Sequence, residues 1–135
     1  MVLQSEELYS TNQKRALQYG VSNNIEISDI KNPGCPANLM EVYIECRAAG
    51  YDIEDLEDCG IGLLSLTYLD CIRELIHNGF DINNLISNGR FINFNNRQIL
   101  TITDGIVNHP NVNYKLLLHP ELDWSKIRKI IQDIA

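Results

Sequence analysis

The frame Gly50-Tyr51-Asp52-Ile53 returns 29 residues later as Gly79-Phe80-Asp81-Ile82, and both copies keep Leu and then Gly further along, at Leu56 and Gly60 and at Leu85 and Gly89. A chain that restarts one pattern at such an interval is constrained to build one supersecondary unit several times. A unit of that size cannot bury its apolar face alone, so its neighbours must share a core.

Helix starts can be placed at Ser10, Pro36, Ser65, Asn95 and Asp123, spaced 26, 29, 30 and 28 residues apart. Seven positions after each stands an apolar residue (Leu17, Tyr43, Ile72, Ile102, Ile130), and four positions after stand Lys14, Met40, Leu69, Ile99 and Ile127. With position +11 these form one helical stripe, which predicts an amphipathic helix at the head of each unit. Ser10, Ser65, Asn95 and Asp123 carry oxygens able to accept from the orphan amides of a first turn. Ser10 with Gln13 and Asn95 with Gln98 have capping-box spacing. Pro36 is expected as the first helical residue, with Cys35 or Gly34 before it.

Fourteen positions after the starts come Asn24, Gly50, Gly79 and His109, residue types that suit a helix end, and Pro110 blocks continuation past the last. Ile27, Ile53, Ile82 and Val112, then Ile30, Leu56, Leu85 and, out of pattern, Lys115, predict a second, shorter helix. Asp52 or Asp81 would be its N-cap, and Gly60 or Gly89 would lie beyond its end. The expected fold is all-α: a short array of about four units, each a helix, a tight turn and a short helix, closed by the helix from Asp123. That last helix carries Lys126, Arg128, Lys129 and Gln132 as the polar outer face of a terminal cap. Residues 10–135 form one domain on this reading, and residues 1–9 an N-terminal arm.

IRELIHNGFDIN (72–83) resembles the second helix and turn of an ankyrin repeat, although the TPLHxA signature of that family is absent. HPELDWSKIRKIIQDI (119–134), the segment 94–106 and the G-[FY]-D-I turns are similar to α-helical repeats of about 30 residues in uncharacterised proteins of low-GC bacteria and their phages. Gln98, Ile99, Ile102 and Gly105 match that repeat in one unit, and Gly79, Asp81 and Ile82 in another. The Gln-Met pair of the pattern is nowhere intact. The resemblance spans most of residues 10–135 and implies a binding scaffold, with no catalytic residues to carry over.

Charge placement narrows the function classes. The net charge is −7, and it all arises between Glu41 and Glu74, where nine acids face Arg47 and Arg73; the remainder is balanced. Such a field disfavours direct nucleic-acid binding and favours a basic partner. Superposing the units places Glu41 and Glu45 beside Asp70 and Glu74, two (i, i+4) pairs on neighbouring helices at roughly 8 to 10 Å, a ridge that Asp104 could extend. Asp52, Glu54 and Asp55 sit where a helix dipole welcomes acids. Glu57 and Asp58 sit where it opposes them, and their counterparts Ile86 and Ser87 are uncharged. The expected partner-binding residues are therefore Glu41, Glu45, Glu54, Glu57, Asp58, Asp70 and Glu74.

No metal, cofactor or catalytic residue is expected. The ridge lacks the Glu-x-x-His pair of carboxylate-bridged sites, DIEDLED lacks the ligand spacing of a calcium loop, and His77, His109 and His119 are scattered. No nucleophile elbow or phosphate-cradling loop occurs. Cys35, Cys46, Cys59 and Cys71, spaced 11, 13 and 12 apart, read as apolar fillers. Trp124 and Tyr114 read as packing between units, with interface anchoring as the alternative. No window is apolar enough to span a membrane and the first residues do not resemble a secretory signal, so a cytoplasmic protein is expected.

The functional expectation is a non-enzymatic binding module or inhibitor that docks a basic macromolecule, a nucleic-acid-handling enzyme being one such partner. One alternative is a phage or mobile-element anti-defence protein, akin to an anti-CRISPR, whose acids mimic nucleic-acid charge. A second is a structural protein that assembles head to tail, Arg128 and Lys129 of one copy meeting the acidic face of the next.

Overall fold

A computed structural model of the chain describes residues 8–85 and 94–134. It is helical throughout, with no strand among the described residues. Six α-helices follow one another among the described residues: α1 Thr11–Ser22, α2 Ala37–Ala48, α3 Ile53–Asp58, α4 Leu66–His77, α5 Asn96–Asn108 and α6 Trp124–Ile134. Single 3-10 turns occupy Ile61–Leu63, Ile82–Leu85 and Tyr114–Leu116. The chain forms two compact units, one ending at Ile53 and the other beginning at Glu54.

All five long helices begin within one residue of the expected starts, and four of the starts are marked by side-chain hydrogen bonds to amides three residues on. Ser10 Oγ accepts the Gln13 N–H (3.1 Å) while Gln13 Oε1 accepts the Ser10 N–H (2.7 Å), and Asn95 and Gln98 repeat the exchange at 2.8 Å each way. Ser65 Oγ accepts from Tyr68 (3.2 Å), and Asp123 Oδ1 from Lys126 (3.0 Å). Pro36 departs from expectation: it is the residue before the helix, with extended ψ of 147° and no side-chain cap, and its carbonyl accepts the Met40 N–H. The first helical residue is Ala37.

The helix ends follow a common rule with one exception. Asn24, Gly50 and Gly79 have φ of 59°, 96° and 79°, so each turns the chain through the left-handed region. In each case the next amide reaches back five residues, Ile25 to Gly20, Tyr51 to Cys46 and Phe80 to Leu75, closing a Schellman motif. The fourth end, at His109, is not left-handed: its φ is −130°. The residue after it is Pro110, which has no N–H to donate backwards, so that motif cannot close.

Among the described residues only α3 completes an α-helix; its counterparts are a turn at residues 28–30, a 3-10 turn at Ile82–Leu85, where the described residues stop, and a 3-10 turn at Tyr114–Leu116. Their apolar residues nevertheless point inward, with Ile30, Ile53, Leu56, Ile82 and Leu85 all buried. Where Lys115 breaks the pattern it is exposed, and Leu117 is buried instead. Gly89, expected beyond one such element, lies outside the described residues.

In the first unit α1 packs on α2, and in the second α4 packs on α5 and α5 on α6. Gly20 and Gly105, each ten residues after its helix start, set the approach. A Cβ on Gly20 would stand 2.6 Å from Ile27 Cγ2 and 3.1 Å from Ile44 Cδ1; one on Gly105 would stand 2.6 Å from Ile131 Cδ1. The stripe residues Met40, Ile72, Ile99, Ile102 and Ile127 are fully buried, each contributing about 1.5 to 3 kcal/mol of transfer free energy.

Residues 1–7 of the expected arm lie outside the described residues. Tyr9, its last member, is half-buried, with the Lys31 ammonium 5.9 Å from its ring centroid.

Candidate functional site

The seven carboxylates expected at a partner face divide between the units. Glu41 and Glu45 stand on α2 of the first unit; Glu54, Glu57 and Asp58 on α3, and Asp70 and Glu74 on α4, belong to the second. Glu54, Glu57, Asp58, Asp70 and Glu74 are exposed. Glu41 is half-buried. Glu45 corrects the expectation outright: at 6% exposure it does not present a carboxylate to a partner. Its helix is buried on almost every side, from Leu39 and Met40 through Val42, Tyr43, Ile44 and Cys46. The sequence carries that signal in three consecutive apolar residues, 42–44, since a helix apolar all round is a buried one.

On α4 the two acids share one exposed face. Leu66, Asp70, Glu74 and His77 are exposed at positions 0, +4, +8 and +11 of one helical face, and Asp70 and Glu74 form the (i, i+4) acidic pair. No ion pair to Asp70, Glu74, Glu57 or Asp58 occurs among the described residues. Like charges one turn apart disfavour the helix by a few tenths of a kcal/mol, so fold stability does not account for the pair.

On α3 the acids fall into two groups. Glu54 and Asp55 occupy the first turn, where the helix dipole favours them. Glu57 and Asp58 occupy the last, just before Gly60, whose φ of 87° ends the helix. Burial, then the negative charges of Asp55 and Asp58, push the Cys59 thiol up. The contrast with Ile86 and Ser87 falls outside the described residues. Asp104 is exposed on α5, accepts from Asn108 Nδ2 at 2.8 Å and stands 3.7 Å from His109 Nε2.

Among the described residues no three His, Cys, Asp or Glu side chains are placed to share a metal ion. Burial, with a smaller contribution from Glu45, pushes the Cys46 thiol up to about 12. Burial likewise raises Cys71, against a downward pull from the Thr103 hydroxyl. Both thiols are protonated at neutral pH and therefore poor nucleophiles.

A groove of about 500 Å³ runs between α5 and α6, lined by Leu100, Asp104, His109, Trp124, Arg128 and Ile131. The Arg97 guanidinium sits over the Trp124 ring at 5.1 Å, so this tryptophan is half-buried and already stacked. Thr101, the one hydroxyl-bearing residue of the groove, donates to the Arg97 carbonyl at 2.8 Å. Tyr114 packs edge-on against Phe80, ring centroids 5.1 Å apart.

Sequence reasoning did not foresee the second duty of the capping glutamines. Gln13 Nε2 donates to the carbonyls of Pro33 (2.9 Å) and Cys35 (2.8 Å), and Gln98 Nε2 to those of Pro120 (2.9 Å) and Leu122 (2.6 Å). Each buried amide thus clamps the loop that leads into the next helix. The sequence signal was Gln at the third helical position in both units with Pro some twenty residues on.

Comparison with protein-family models, with curated proteins and with solved structures finds no match. None of the helices in the described residues is long and apolar enough to cross a membrane.

Proposed function

We propose that the protein is a binding module whose second unit docks a basic macromolecular partner through Glu57, Asp58, Asp70 and Glu74. The observation that carries this reading is the exposed α4 face, where two like charges stand one turn apart with no base paired to either among the described residues. A face kept acidic at a cost to the helix is suited to a partner that supplies the missing cations. Glu54, on the same short helix as Glu57 and Asp58, is also exposed. Glu45 is excluded by its burial, and Glu41 is half-covered.

The test is affinity capture from a native extract beside a titration with a defined Lys/Arg-rich peptide, using the native chain and the variant Glu57→Gln/Asp58→Asn/Asp70→Asn/Glu74→Gln. The native chain retains the peptide and one prey at low salt, and loses both at about 0.5 M salt, where charges are screened within a few ångströms. Retention by the neutralised variant, or indifference to salt, rejects the proposal. Release of the prey by duplex DNA would favour the narrower reading of a nucleic-acid charge mimic. Head-to-tail assembly would use Arg128 and Lys129, both exposed on α6, and a salt-independent monomer in sedimentation rejects it.

A further inference from the structure

A second groove lies in the first unit, with the opposite electrostatic character. About 320 Å³ in volume, it is lined by Tyr9, Lys14, Leu17, Val21, Ile27 and Lys31. Its position follows from one break in the stripe. The residue four places into each long helix is apolar and buried in α2, α4, α5 and α6, but in α1 it is Lys14, which is exposed, and Val21 beyond it is 54% exposed.

The floor is therefore aliphatic and the walls are cationic. α1 contains Lys14 and Arg15 and no acid, and both bases stand toward its positive end, where the dipole gives a cation no support. Lys14 has no ion pair among the described residues, and Lys31 rests against the Tyr9 ring. The acids nearest Lys31 in sequence are engaged elsewhere. Glu26 accepts the Ser28 N–H at 2.9 Å, and Asp29 holds Arg47 through two hydrogen bonds of 2.7 and 2.6 Å. Neither lines the groove.

From this complementarity we infer that the groove binds an acidic, aliphatic peptide segment of a partner protein, its carboxylates on Lys14 and Lys31 and its aliphatic side chains on Leu17, Val21 and Ile27. The groove is open along the helix, which suits an extended or helical segment better than a small molecule that must be mostly enclosed. The acidic-aliphatic stretch 52–58 cannot serve from a second copy, because Ile53 and Leu56 are buried. The groove is lined by residues of the first unit only, so the inference does not rest on the carboxylates of the second.

The experiment is fluorescence polarisation of a short fluorescein-labelled peptide of glutamate and leucine against the full chain. Saturable binding is expected, with affinity falling about tenfold for Lys14→Glu/Lys31→Glu and similarly for Val21→Asp. The same charge-reversed variant should gain binding to a lysine-leucine peptide, an outcome a misfolded variant would not produce. Absence of saturable binding, or binding untouched by all three substitutions, overturns the inference. So does binding only to anionic phospholipid vesicles, which would make the surface a lipid contact, or binding that emerges only after residues 1–7 are deleted, which would assign the groove to the chain itself.

Discussion

The Gln98 side-chain amide donates to the Leu122 carbonyl across 2.6 Å, linking the first turn of α5 to the residue before the cap of α6. The same amide donates to Pro120, and its oxygen caps Asn95, so one buried side chain, 5% exposed, satisfies three backbone groups. Gln98→Ala removes all three bonds and should cost about 2 to 3 kcal/mol in urea-induced unfolding. Gln98→Glu should cost at least as much above pH 6 or so, because a carboxylate has no donor for the Pro120 and Leu122 carbonyls. A neutral outcome for Gln98→Ala would show that water replaces the clamp.

Gly105 of α5 lies close against Ile131 of α6. Gly105→Ala would place a methyl 2.6 Å from Ile131 Cδ1 and 2.9 Å from Leu117 Cδ1. The expected loss is about 1 to 3 kcal/mol from overpacking. Ile131→Val removes the closer of those atoms, so the double variant should recover part of the loss, and a double-mutant cycle measures the coupling. Additive losses would mean that the methyl is accommodated by the Leu117 side instead.

Asp29 and Arg47 supply the pH prediction. Hydrogen bonding to Arg47 holds the Asp29 carboxyl below its ordinary value. A carboxyl depressed in the folded state contributes stability above its unfolded pKa and loses it as pH falls through the folded value. Because the Asp29 side chain is 53% exposed, solvent screening keeps that contribution below about 1 kcal/mol. Asp29→Asn should therefore destabilise slightly at pH 7, less at high salt, and not at all once the pH lies below the lowered carboxyl value. Thermal unfolding across pH measures it.

The four thiols should separate by burial. Cys46 and Cys71 are buried with raised pKa, while Cys35 and Cys59 are half-exposed. Under native conditions a thiol reagent such as Ellman's should modify Cys35 and Cys59, and reach Cys46 and Cys71 only at the rate of unfolding. Rapid modification of Cys46 would contradict the packing of α2.

What the amino-acid order determined by itself was local. Ser10, Ser65, Asn95 and Asp123 start helices through bonds to amides three residues on, and Gly50 and Gly79 end them through a backbone conformation that other residue types resist; both effects act within one turn. Pro110 made its exception the same way, by lacking an N–H. The tertiary structure decided which equivalent positions face solvent: Glu45 and Glu74 hold the same place after their helix starts, yet one is buried and the other open, a difference the sequence hints at only through the apolar run 42–44. It also decided that Gln13 and Gln98 reach loops more than twenty residues away in sequence, and that the face of α1 carrying Lys14 and Val21 stays uncovered. Those outcomes depend on which surfaces come together over long sequence separations, and burial is a property of the surroundings rather than of the residue.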